Sequence, residues 1–180
     1  MKIAITGHTK GIGQGLYTYF TNLGHTVEGF SRTNGYDLSN ISARQKIVSK
    51  STDFDVFINN AYIGQNDLFN ELFPVYKDDV SKTIVNIASF LKYREFLPFA
   101  DPYKINKNNL YKSMVKHAFL KEKKCRLISI NPGYVDTDMV THITNPKMTV
   151  DDAVKVIGWA ILQPQHIEIG ELSFWITNSL

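Results

Sequence analysis

The chain has 180 residues, 43% of them hydrophobic and 12% aromatic, enough for one sizeable core and too few for two, so a single domain over residues 1–180 is expected. A net charge of +3 gives no argument for nucleic acid, no apolar run is long enough to span a bilayer, and the lone Cys125 excludes an intramolecular disulfide. With an apolar strand beginning at the second residue and no leader pattern before it, the expectation is a protein of a reducing, cytoplasmic compartment.

The first element is that short strand, Lys2–Ile5. It runs into Thr6-Gly7-His8-Thr9-Lys10-Gly11-Ile12-Gly13 and then a helical stretch over Ile12–Asn22, closed by Gly24. In α/β proteins, strand, glycine-rich turn and helix together hold a dinucleotide. The glycines let the backbone turn tightly and approach a pyrophosphate, and the helix N-terminus offers it unpaired N–H groups. A second strand is expected over Thr26–Ser31 and a short one near Tyr36. There follow helix Ile41–Lys50, strand Val56–Asn59, helix Asp67–Tyr76 and strand Thr83–Ala88. Then come helix Pro102–Glu122 with Asp101 as its N-cap, strand Arg126–Asn131, helix Val150–Leu162 capped by Thr149, and strand Leu172–Ile176. The strands are rich in Val and Ile and apolar on both faces, as in a covered parallel sheet. The alternation predicts an α/β, doubly wound parallel sheet of six to seven strands, with helices on both faces and ligands at the carboxyl ends of the strands.

The end of the second strand indicates which dinucleotide fits. An NAD site places an acid there for the ribose 2′-OH; this strand ends Phe30-Ser31-Arg32, and Glu28 comes too early. Arg32 and Lys10, with hydroxyls from Thr9 and Ser31, suit a 2′-phosphate, so NADP(H) is favoured and NAD(H) is the alternative. The lysine-rich stretch Lys112–Lys124 alternates with apolar residues and reads as the solvated face of an amphipathic helix. The five histidines, His8, His25, His117, His142 and His166, lack metal-ligand spacing, so no metal site is expected.

On these residues the chain resembles the short-chain dehydrogenase/reductase family, nearly end to end. Thr6-Gly7-x-x-x-Gly11-Ile12-Gly13 is similar to its cofactor turn, Asp37-Leu38 to its adenine-contacting pair, and Asn59-Asn60-Ala61 to the segment after its fourth strand, with Tyr62 where glycine is usual. Val85-Asn86-Ile87-Ala88-Ser89 resembles the strand carrying the catalytic serine, Tyr103-x-x-x-Lys107 the catalytic pair, and Asn131-Pro132-Gly133-Tyr134-Val135-Asp136-Thr137 the segment bordering the nicotinamide. Nine tyrosines and sixteen lysines would produce about 0.8 Tyr-x-x-x-Lys pairs by chance, so position carries the weight: this pair follows Ser89 by fourteen residues and opens a helix.

The resemblance implies a Rossmann fold and hydride transfer between nicotinamide and a small carbonyl or alcohol. Residues four apart share a helix face, so Tyr103 and Lys107 address one cleft. A phenol of pKa about 10 exchanges protons poorly at neutral pH, and a nearby ammonium stabilises its phenolate. Tyr103 would then pass a proton to or from the substrate oxygen, which Ser89 orients. By resemblance Lys107 also holds the nicotinamide ribose, Pro132, Gly133, Val135 and Thr137 fix the nicotinamide end, and the protein is a homodimer or homotetramer.

Three departures stand out. The chain is shorter than is usual for the family, and only twenty-seven residues separate Ala61 from Ser89, room for a crossover helix of about three turns. No residue aligns with the asparagine the family uses there in a proton relay; Asn66 and Asn70 are near. Asp138–Thr149 stands where a longer substrate loop is common, as a small apolar lid or a connector. A nucleotide-binding sensor or interaction module with little turnover is therefore the alternative function.

Overall fold

A computed structural model describes residues 1–90 and 102–177. Six strands form one parallel sheet: β1 (Lys2–Thr6), β2 (Thr26–Phe30), β3 (Val56–Asn59), β4 (Thr83–Ile87), β5 (Arg126–Pro132) and β6 (Glu171–Phe174), in the order β2-β1-β3-β4-β5-β6. Every residue of β3, β4 and β5 is buried, which is why their sequence shows no polar alternation.

Period-two alternation sorts the strand side chains onto two cores. Ile3, Ile5, Val56, Ile58, Val85 and Ile128 face α1 (Gly11–Asn22) and α5 (Val150–Ile161). Ala4, Phe57, Ile84 and Leu127 face the opposite way, toward α2 (Ile41–Ser51), α3 (Gln65–Tyr76) and α4 (Pro102–Ala118). The expected doubly wound sheet, with helices on both faces, is what the chain forms.

Most expected elements match to within a residue or two. The strand anticipated near Tyr36 does not form among the described residues. Its place is taken by a 3-10 turn, Arg32–Asn34, whose Ser31–Asn34 capping box redirects the chain, while the Tyr36 ring packs edge-on against Phe30. Helix α4 ends at Ala118 rather than Glu122, because the chain must drop into β5, and the Lys124 N–H donates to the Lys77 carbonyl at 2.7 Å. The last strand stops at Phe174, before Ile176. Thr149 does cap α5, accepting from the Asp152 N–H at 3.1 Å; the proposed Asp101 cap lies outside the described residues.

The chain runs from β1 outward to β2, then crosses back over β1 to β3. The β1–β3 boundary is therefore the switch point at which such sheets open a ligand crevice beyond the strand ends. One backbone position there admits only glycine. Gly64 has φ +68°, and a Cβ on it would lie 2.2 Å from the Leu38 carbonyl oxygen. Gly64→Ala is expected to lower stability by about 1–2 kcal/mol from backbone conformation alone, with the collision adding to it; urea unfolding measures the loss.

Candidate active site

The glycine turn closes the amino side of the crevice. Gly7 and Gly11 adopt left-handed conformations, φ +69° and +52°, and the Gly7 N–H donates to the Phe30 carbonyl at 2.7 Å. Gly13 is needed for a different reason: a Cβ there would lie 2.2 Å from the Gly7 oxygen and 2.6 Å from Asn60 Nδ2. Helix α1 has Lys10 at its N-cap, with no side-chain cap bond and no acid in its first turn. An uncapped N-terminus, beside glycines that leave no room for a Cβ, is a cradle that fits the pyrophosphate of a dinucleotide. Ile12 turns inward to pack on the α1 side of the core, and Thr9 stays exposed.

Thr6 ties the turn to β3. Its hydroxyl accepts from the N–H groups of Asn60 and Ala61 at 2.9 and 3.0 Å, and Asn60 Nδ2 donates to the Thr6 and Gly7 carbonyls at 3.1 and 3.3 Å. Asn59, in contrast, is wholly buried with its side chain turned inward. Its Nδ2 donates to the Gln65 carbonyl and to Asn86 Oδ1, so it shapes the crevice from behind.

The segment after β5 lies against the same turn. Pro132 ends the strand, the Gly133 N–H donates to the Phe174 carbonyl at 2.8 Å, and Val135 pairs with Met148. Thr137 lies against Gly11, its Cγ2 3.0 Å from where a Cβ would stand, and Lys10 Nζ meets Asp138 at 3.1 Å. Asp138–Thr149 thus folds back on the residues just before it, through Met148 paired with both Tyr134 and Asp136, as a connector to α5.

The adenosine-side residues fall beyond β2. Arg32 is exposed at the start of the 3-10 turn. Lys10 does not join it, since its side chain reaches across the turn to Asp138; both partners are about 80% exposed, a surface pair of small net energy. The Asp37 carboxyl is held below its ordinary range by hydrogen bonds from the Ser39 N–H and hydroxyl, with the Arg32 charge adding to the effect. Leu38 is buried, and its carbonyl accepts from the buried Arg44 at 2.7 Å.

Ser89 is buried just past β4, and Tyr103 and Lys107 stand one turn apart on α4. Lys107 Nζ lies 5.5 Å from the centre of the Tyr103 ring. It donates to Gln65 Oε1 at 2.7 Å and to the Ile87 carbonyl at 2.8 Å, and burial pushes its pKa down to about 7. Tyr62 packs on Tyr103 with ring centres 5.1 Å apart, and its hydroxyl accepts from Asn106 at 3.1 Å. Tyr62 is thus a wall beside Tyr103.

Asn66 and Asn70 do not approach Lys107. They tie α3 to α4, through Ser113 and His117. Gln65, one residue before Asn66, is the α3 side chain that reaches Lys107. No spacing rule pointed to it; it is found only once α3 and α4 are packed side by side. Among the described residues, no three His, Cys, Asp or Glu side chains gather as a metal site, and no helix is long and apolar enough to cross a membrane.

Solved structures share this fold. A serine dehydrogenase in closed form with NADP+ superposes with a TM-score of 0.78 at 15% identity, over 97% of this chain and 94% of that one. A short-chain dehydrogenase from Burkholderia cenocepacia in complex with NADP gives 0.77 at 21%, over 96% and 87%. A 3-ketoacyl-(acyl-carrier-protein) reductase from Brucella melitensis complexed with NADH gives 0.78 at 18%, over 97% and 96%. The fold is that of the short-chain dehydrogenases. The likeness is one of shape, since no protein-family model and no curated protein matches the sequence.

A depressed lysine pKa has a definite thermodynamic sign. Between about pH 7 and 10.5 the unfolded chain binds a proton at Lys107 that the folded chain does not, so this group adds stability as pH rises through that window. The stability of the wild type minus that of Lys107→Met should increase from pH 7 to pH 9.5, at up to about 1.4 kcal/mol per pH unit. Thermal melts across that range check it; a flat difference would contradict the burial of the amine.

Proposed function

We propose that the chain is a short-chain dehydrogenase/reductase that transfers hydride between NADP(H) and a small carbonyl or alcohol. The observation that carries this reading is the Tyr103–Lys107 pair, with Nζ 5.5 Å from the phenol ring, at the same strand ends as the glycine cradle. Gly7, Gly11, Ile12 and Gly13 would receive the pyrophosphate, aided by the uncapped start of α1. Asp37, Leu38 and Ala61 would border the adenosine, with Asn59 and Asn60 holding that edge in place. Arg32 would meet the 2′-phosphate, joined by Lys10 when it leaves Asp138, and Thr9 would add a hydroxyl. Pro132, Gly133, Val135 and Thr137 would border the nicotinamide. Hydride donation is the chemistry the cofactor supplies when bound.

The chain's own residues handle the proton. Tyr103 donates to the carbonyl oxygen in reduction and accepts in the reverse direction, while Ser89 hydrogen-bonds the same oxygen. The positive charge of Lys107 favours the phenolate that remains. Tyr62 packs against the Tyr103 ring and would limit its movement. The substrate chemistry is a single carbonyl or alcohol carbon small enough to reach Tyr103.

Titration with NADPH and NADH, followed by nicotinamide fluorescence, tests the cofactor assignment: NADPH should bind the tighter, and binding of neither would reject the function. Arg32→Ala should weaken NADPH about tenfold or more and NADH little, as expected for one charged hydrogen bond of about 1.5 kcal/mol. Tyr103→Phe should lower turnover of aldehydes and ketones by about 100- to 10,000-fold while leaving NADPH affinity nearly unchanged. Parallel loss of both would refute the assigned role.

A further inference from the structure

Lys107 is held unlike the buried Arg44 and like the buried Arg126. Arg44 faces the Glu71 carboxylate at 3.0 Å, and Arg126 reaches the carbonyls at the end of α5, donating to Ile161 and Gln163 at 2.8 Å. Lys107 is 5% exposed, yet no carboxylate pairs with it among the described residues. Its hydrogen-bond partners are an amide oxygen, from Gln65, and a backbone carbonyl, from Ile87. Among the described residues, the titratable group facing it is Tyr103 on its own helix, with Tyr62 behind that ring. From α3 it meets the neutral Gln65, and from β4 the Ile87 carbonyl.

Gln65 is itself fixed. It is 4% exposed, and its Nε2 donates to the carbonyls of Asn59 and Ile87. Both amide protons are therefore used, and the oxygen must face Lys107. A flipped amide would set NH2 against an ammonium and its oxygen against two carbonyls. The backbone carbonyl of Gln65 is held in turn by Asn59 Nδ2 at 2.9 Å, and Asn59 is held by Asn86 Oδ1 at 2.8 Å.

We propose that Gln65 is a positioning residue for Lys107, a neutral acceptor that fixes the ammonium beside Tyr103 without cancelling its charge. The proposal rests on the function given above and assigns it one more residue. A carboxylate at this position would hold Nζ equally well, but the resulting ion pair would remove most of the field that favours the phenolate of Tyr103. An apolar side chain would leave the field and lose the position. An amide alone supplies both while the amine is protonated, and the downward shift of Lys107 follows from its burial, with no carboxylate among the described residues to offset it.

The test is a pH titration of the full-length protein by NMR of 13C-labelled lysine, with the Lys107 resonance identified from its loss in Lys107→Met. Gln65→Glu should raise the Lys107 midpoint by about one pH unit or more, and Gln65→Met should lower it. With NADPH and an aldehyde or ketone that is turned over, Gln65→Glu should lower kcat and move its pH profile with the new midpoint, leaving the KM for NADPH little changed. A midpoint unmoved in both variants overturns the proposal, as does a midpoint that moves without any change in the pH profile. Should either variant fail to fold, the wild type decides. The side-chain 15N amide resonances of Gln65 must titrate with the Lys107 midpoint, and flat resonances overturn the contact. A responsive midpoint in a protein that binds neither NADPH nor NADH rejects the oxidoreductase function and supports the Gln65–Lys107 coupling by itself. NADPH turnover with an unresponsive midpoint rejects Gln65 alone.

Discussion

The carboxyl edge of this sheet depends on the absence of one side chain. Gly13 brings the first turn of α1 so close to Gly7 and Asn60 that no Cβ fits between them. That approach fixes how α1 leaves β1, and everything nearby is bonded to the result. Asn60 fills the contact and also bridges to the Thr6 and Gly7 carbonyls, joining the ends of β1 and β3. Thr137 and Asp138 close over Gly11 and Lys10 from the other side. Lifting α1 away from the sheet would disturb three strand ends at once. The tight turn is thus a shared anchor for segments far apart in sequence.

Behind this edge runs a line of buried amides. Asn59 and Asn86 are paired in register on β3 and β4, and Gln65 continues the line to Lys107. Polar groups in a core are costly unless bonded, and bonded ones fix orientation in a way apolar packing does not. Here the orientation passes from β3 and β4 to the buried Lys107. The hydrogen bonds of Asn66 and Asn70 into α4 support the same geometry by keeping the two helices in register. Rigid amides on one side and the Tyr62–Tyr103 ring contact on the other leave the phenol and ammonium little freedom.

Much of this was legible in the sequence because it is local or periodic. Runs such as Val56–Asn59 and Arg126–Asn131 are apolar on both faces only if covered on both faces, and the sheet is. The spacing of Gly7, Gly11 and Gly13 announced a tight turn before a helix, and the four-residue step from Tyr103 to Lys107 announced a shared face. What escaped was decided by tertiary partners. The end of α4 is set by the Lys77 carbonyl, far along the chain, not by any breaker after Ala118. Lys10 looked like a companion of Arg32, but its ammonium pairs with Asp138 at 3.1 Å once β5 is in place. The stretch near Tyr36 forms no strand because the Ser31–Asn34 capping box and the left-handed Gly35 turn it out of line with β2. Gln65 carried no local signal, since a glutamine opening a helix is ordinarily a solvated residue.

The sheet order also leaves β2 as an outer strand, with no seventh strand beyond it among the described residues. Unpaired backbone along such an edge invites association with another chain's strand. Glu28 stands in the middle of β2, where it is clamped at 2.9 Å by Lys50 of α2, both side chains being about half exposed. An incoming strand would have to bury that pair or break it. The 3-10 turn after Phe30 then bends the backbone out of line, and the edge is only five residues long. Lys50 and Glu28 stand outside the proposed active site. A charged pair in the middle of so short an edge raises the cost of pairing with another strand.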